Sequence, residues 1–135
     1  MSWDVILIKT ETNMEPIEEI EEPVPVSRVD FVNVVRELAP DAKICEDEQI
    51  ILDRPTFSVE IMIEDEFLDA ISLAVRGGEA PLGLLAALCG RLDCRAYDTS
   101  LDEFIDFESL RRGGESGFEQ WKKYRDKVLG TIRQT

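Results

Sequence analysis

Ser72-Leu-Ala-Val-Arg-Gly-Gly-Glu-Ala-Pro-Leu-Gly-Leu-Leu-Ala-Ala-Leu-Cys89 reads as an apolar strand, a double glycine and then a helix. A strand delivered to a helix start through glycines has two readings. In one, the amides of Gly77 and Gly78 cradle a phosphate, with Arg76 adding charge. In the other, the glycines supply dihedrals for a tight turn. The second reading is favoured. No Gly-Lys-Ser/Thr follows, and the dinucleotide glycine pattern is absent. Glu79 would also set a carboxylate against any bound phosphate. Pro81 suits the first helical position, where its missing amide costs little. Arg76, Gly77 and Gly78 remain the site of an alternative reading, a small-ligand-binding or regulatory domain.

Working outward, the strand Asp69 to Val75 follows another, Phe57 to Ile63. There Phe57, Val59, Ile61 and Ile63 alternate with Ser58, Glu60, Met62 and Glu64. A period of two puts one face in a core and the other largely in water. Gln49 to Leu52 precedes it across an Arg54-Pro55 turn, and Trp3 to Ile8 is an apolar first strand. Cys94 to Tyr97 and Glu103 to Phe107 are expected as short last strands. Ala80 to Leu92 carries Leu82, Leu85, Ala86, Cys89 and Leu92 at helical spacing. Ser27 is expected to cap a helix to about Leu38, with Phe31, Val35 and Leu38 on one face. Ser116-Gly-Phe-Glu119 fits a capping box opening a helix at 117–133. Its apolar face would be Phe118, Trp121, Val128, Leu129 and Ile132. The order β-α-β-β-β-α-β-β-α predicts an α+β fold, a single mostly antiparallel sheet with two or three packed helices. The chain, 135 residues long, is expected to form one such domain.

The sequence holds 29 acidic and 15 basic residues, a net charge of −14. From Met1 to Leu110 there are 26 acidic and 8 basic residues, and from Arg111 to Thr135 there are 3 and 7. An acidic body repels phosphate backbones, so no nucleic-acid partner is expected. A basic protein would be steered toward it. Two clusters carry the expectation: Glu18, Glu19, Glu21 and Glu22 in the proline-broken loop 10–26, and Glu64-Asp65-Glu66 in a turn. No run approaches the ~18 apolar residues of a membrane helix, so no membrane partner is expected. Three cysteines, Cys45, Cys89 and Cys94, without a signal-like start predict reduced thiols and a cytoplasmic location.

The chain has no histidine, which removes cysteine–histidine and serine–histidine catalysis. Cys89 and Cys94 lack a second ligand pair for zinc. Asp98, Asp102, Glu103 and Asp106 miss the calcium-loop spacing and read as a solvated turn. The aromatic set Phe118, Trp121 and Tyr124 reads as core packing. Neither catalysis, a metal nor a cofactor is expected.

Ser2-Trp-Asp-Val5, Val75-Arg-Gly-Gly78, Asp98-Thr-Ser100, Glu103-Phe-Ile-Asp106 and Tyr124-Arg-Asp126 resemble a family of small bacterial proteins without an assigned activity. The family pattern often reads His-Val-Arg-Gly-Gly-Gly at the second piece. Here Ala74 stands in place of that histidine and Glu79 in place of the last glycine. The resemblance implies a single α+β domain in the bacterial cytoplasm. Small acidic domains of this kind are also similar in type to immunity proteins of bacterial toxin systems. The expected function is therefore protein binding, in its sharper form the neutralisation of a basic toxin through the acidic surface.

Overall fold

The computed structural model describes residues 2–10, 16–20, 22–46, 48–112 and 116–133, with side chains except at Glu19 and beyond Lys127. Its first strand, β1 (Trp3–Ile8), is interior to the sheet, and in it Trp3, Val5 and Leu7 are buried and Asp4 is exposed. After a 3-10 turn at Ile17–Glu19 come β2 (Val26–Ser27), α1 (Arg28–Leu38), β3 (Lys43–Cys45), β4 (Gln49–Asp53), β5 (Phe57–Met62), β6 (Phe67–Leu68) and β7 (Ile71–Gly77). The chain ends through α2 (Leu82–Leu92), β8 (Arg95–Asp98), β9 (Glu103–Phe104), α3 (Phe107–Arg111) and α4 (Gly117–Arg133).

Seven strands form one sheet in the order β3-β4-β5-β7-β1-β8-β9, and every neighbouring pair is antiparallel. The fold is α+β, as the element order predicts. β7 and β8 both flank β1, so α2 carries the chain across β1. Register explains the core. Trp3, Val75, Val59 and Leu52 form one cross-strand row, and Val5, Leu73, Ile61 and Ile50 form the next. All eight are buried, so both rows lie on one face. The helices cover that face with Phe31 and Val35 from α1, Leu85 and Leu88 from α2, and Phe118 and Trp121 from α4.

Several local expectations change. Ser27 makes no capping hydrogen bond; the first free amide of α1, on Arg28, donates instead to the Glu66 carbonyl at 2.9 Å. Tertiary pairing thus replaces a local cap. β2, β3 and β6 are two or three residues long, too short for a readable period. The last strand, expected to run to Phe107, ends at Phe104, and α3 begins at Phe107. Asp106 caps it, its carboxylate accepting from the Ser109 amide at 3.1 Å. The capping serine of α4 holds: Ser116 Oγ accepts from the Glu119 amide at 3.1 Å. Gly113 and Gly114, and the side chains of Val128, Leu129 and Ile132, lie outside the described residues. Among the described residues, no helix is long and apolar enough to cross a membrane.

Candidate functional site

The two-residue strands β2 and β6 build the surface that best fits a partner. Val26 pairs with Leu68, and both are buried. Ser27 pairs with Phe67, so side chains there point outward. Phe67 is 60% exposed. The turn before it is fastened to the start of α1: the Arg28 amide donates to the Glu66 carbonyl at 2.9 Å, and Arg28 Nη1 donates to the Glu64 carbonyl at 3.2 Å. The first turn of α1 carries Val29, 63% exposed, and Asp30. An aromatic ring and a branched aliphatic group therefore stand in water on two joined segments. Glu64, Asp65, Glu66, Asp69 and Asp30 on those segments are exposed. Among the described residues, none of these five carboxylates has an ion-pair partner within 4.0 Å. Apolar anchors rimmed by carboxylates, with the Arg28 guanidinium tied to the Glu64 carbonyl among them, are the makings of a protein-binding hot spot.

The second predicted acidic cluster is not joined to the first by this pairing. Antiparallel register sends residues before Val26 along the ribbon away from Glu64–Glu66. Glu18 and Glu22 are exposed. Only the backbone of Glu19 is described, and Glu21 lies outside the described residues. Of the predicted acidic residues, Glu64, Asp65 and Glu66 belong to the Phe67 surface. Phe67 and Val29 themselves were missed. The signal was Phe67 beside three consecutive acids, a position with no apolar partner in the alternating pattern.

The double glycine answers differently from a phosphate cradle. The amides of Gly78 and Glu79 both donate to the Thr56 carbonyl, at 2.9 and 3.3 Å. Gly77 has φ +124, and a Cβ there would lie 2.5 Å from the Thr56 oxygen. Glycine is needed for close passage of two backbones. The turn offers α4 its carbonyls: Arg125 Nη1 donates to Gly77 O at 2.8 Å, and Lys122 Nζ to Gly78 O at 3.0 Å. Arg76 pairs with Glu60 at 3.5 Å on the open face of the sheet. The basic face of α4 thus docks on the body through backbone oxygens.

Asp98 is the other departure. Read as part of a solvated turn, it is 1% exposed. Its Oδ1 accepts from Trp3 Nε1 at 3.1 Å, from the Ser100 amide at 2.9 Å and from Ser100 Oγ at 2.6 Å. The segments Ser2–Val5, Val75–Gly78, Asp98–Ser100 and Tyr124–Asp126 thus meet through hydrogen bonds at one end of the sheet. Thr99 Oγ1 adds one to the Asp4 carbonyl at 2.8 Å.

The cysteines are unpaired. Burial pushes the Cys89 thiol up to about 12, with the neighbouring Cys94 adding to the shift. Cys94 rises to about 11, again through burial, with Lys9 opposing and Asp93 reinforcing. Such thiols are poor nucleophiles and poor metal ligands at neutral pH. Among the described residues, no three Cys, Asp or Glu side chains converge as metal ligands. Compared with protein-family models, curated proteins and solved structures, the chain shows no match.

Proposed function

We propose that this protein acts by binding another protein, and that Phe67 and Val29 with their carboxylate rim are the docking surface for a basic partner. The observation that carries this reading is the exposure of Phe67 among acids that lack ion-pair partners in the described chain. Burying the ring and the Val29 side chain supplies the apolar contribution, about 25 cal/mol per Å² removed from water. The acids select for positive charge and speed encounter. In its sharper form the partner is a basic toxin that this protein neutralises, a reading supported by the net charge of −14.

The test is capture of proteins from the source organism's extract on tagged protein at low and high salt. One basic protein should be retained in stoichiometric amount and loosened by salt. Phe67→Asp, and separately Glu64→Lys with Glu66→Lys, should abolish its retention while leaving the fold intact. Retention indifferent to both variants would overturn the reading. For the sharper form, the captured protein alone should arrest growth and co-expression should restore it.

The alternative at Arg76, Gly77 and Gly78 has less support, because the Gly78 amide that a phosphate would need, and the Glu79 amide after it, already donate to the Thr56 carbonyl.

A further inference from the structure

The sheet has a second face, opposite the one the helices cover. On β1, β3, β4, β5 and β7 its side chains alternate with the core rows, and register gathers them into rows of their own. Lys43, Ile51, Glu60, Ala74 and Asp4 form the middle row. Asp53, Ser58 and Arg76 lie on one side of it. Gln49 with Met62, and Ser72 with Ile6, lie on the other. None of these side chains is buried. The charges that the strands present here cancel: Asp4, Asp53 and Glu60 stand against Lys43, Arg76 and, from β8, Arg95. The chain as a whole carries −14, so most of its surface repels a second copy and this face does not. Asp4, Lys43 and Asp53 make no ion pair among the described residues. A hollow of about 270 Å³ lies over the small side chains Ser72 and Ala74, between Asp4 and Ile6 on β1 and Glu60 and Met62 on β5.

We propose that this face is a homodimer interface, two copies stacked sheet on sheet about a two-fold axis that runs along β5. The rows select that axis. Rotation about β5 sets β7 over β4, and β1 over β3, of the second copy. Asp4 then faces Lys43 and Arg76 faces Asp53, and symmetry makes each pair twice. Ala74 faces Ile51 and Ser72 faces Gln49, so each hollow receives the larger side chains of the other copy. Met62 meets its own copy on the axis. Glu60 does too, but Arg76 already stands 3.5 Å from it. An axis along β7 would instead set Asp4 over Glu60 and Arg76 over itself, both repulsive. Stacked sheets lie ~10 Å apart with strands within about 30°, a gap that lysine and arginine side chains span. Five strands spaced ~4.8 Å apart and about 17 Å long make a patch at the low end of specific interfaces, so micromolar association is expected.

The test is sedimentation equilibrium of the full chain near physiological ionic strength, from about 1 to 300 μM. A reversible monomer–dimer equilibrium is expected, with no larger species, because an isologous contact closes on itself. Asp53→Arg and Arg76→Asp should each weaken it by about tenfold or more, since each puts two like-charge pairs into the dimer. Mixing those two variants should restore dimerisation as a heterodimer, because both pairs then bring opposite signs together. Ser72→Arg fills the hollow and should abolish the dimer. Thermal melts check that each variant folds. A chain that stays monomeric at every concentration overturns the proposal, as does a dimer that Arg76→Asp and Ser72→Arg leave intact. Failure of the mixed variants to pair overturns it too, since the axis along β5 requires that rescue. A monomer whose capture of the basic partner is lost in Ser72→Arg would assign the face to that partner instead. Phe67→Asp should leave the dimer unchanged, so failure here and failure of the docking surface are separate results.

Discussion

Trp3 and Asp98 stand 95 residues apart in the chain and meet across 3.1 Å, the indole N–H donating to Oδ1. They occupy inward positions on neighbouring strands, and Val5 is the register partner of Asp98. The pair is a polar contact in an otherwise apolar layer. Trp3 packs edge-on against Phe118 of α4, with ring centroids 5.4 Å apart. One carboxylate thus fixes an interior strand of the sheet, the turn after β8 and the ring that receives the last helix.

Removing that carboxylate strands its donors. Asp98→Ala leaves the Trp3 indole N–H and the Ser100 amide without their acceptor, and should cost about 2–3 kcal/mol of stability. Asp98→Asn keeps an oxygen at the same place and should cost less than half as much. Urea unfolding followed by tryptophan fluorescence gives both values; equal losses would mean that charge, not the acceptor, holds the site.

Gly117→Ala sets helix propensity against packing. At an ordinary helical position the change would stabilise by about 1 kcal/mol. Here the new Cβ lies 2.8 Å from Asp98 Cγ, so either Asp98 or the start of α4 must move. The expected result is net destabilisation, with loss of the slow exchange of the Trp3 indole proton. A thermal melt above that of the wild type would refute the close contact.

The attachment of α4 is the next prediction. Arg125 donates to Gly77 O at 2.8 Å and lies over the Trp121 ring, 5.1 Å from its centroid. Arg125→Ala should lower stability by about 1–2 kcal/mol. Lys122→Ala removes a more flexible contact to Gly78 O and should cost roughly 0.5 kcal/mol. Hydrogen exchange should report faster opening of α4 in the first variant, with β1 and β7 still protected.

The thiols make a pH prediction. Burial raises Cys89 and Cys94 above the ordinary value of 9.0, to about 12 and about 11. Above pH 9 the unfolded chain ionises these thiols while the folded one keeps them neutral. Their contribution is therefore complete below pH 9.0 and is lost as pH rises toward 11–12. The urea midpoint should fall across that window, and Cys89→Ala with Cys94→Ala should flatten the fall. At pH 7.5 a thiol reagent should modify Cys45, which is exposed, and leave Cys89 and Cys94 until the protein unfolds. Three thiols reacting at one rate in native protein would contradict the burial.

Periodicity alone determined much of this protein. The alternation from Phe57 to Ile63, the apolar run from Trp3 to Ile8 and the helical stripe through Leu85, Cys89 and Leu92 each report a local geometry that repeats within a few residues. The Ser116 cap is local too, a bond spanning three residues. These suffice for an α+β fold with one mostly antiparallel sheet. Local patterns say nothing about which distant segment meets which. Only the tertiary structure joined Val26 to Leu68 and so stood Phe67 beside the start of α1. Only it carried the Thr56 carbonyl to the amides of Gly78 and Glu79. Asp98 shows the reason most directly. A carboxylate in sequence reads as a group seeking water, yet the indole of Trp3, the Ser100 amide and hydroxyl, and the start of α4 together replace that water, and they arrive from positions 3, 100 and 117.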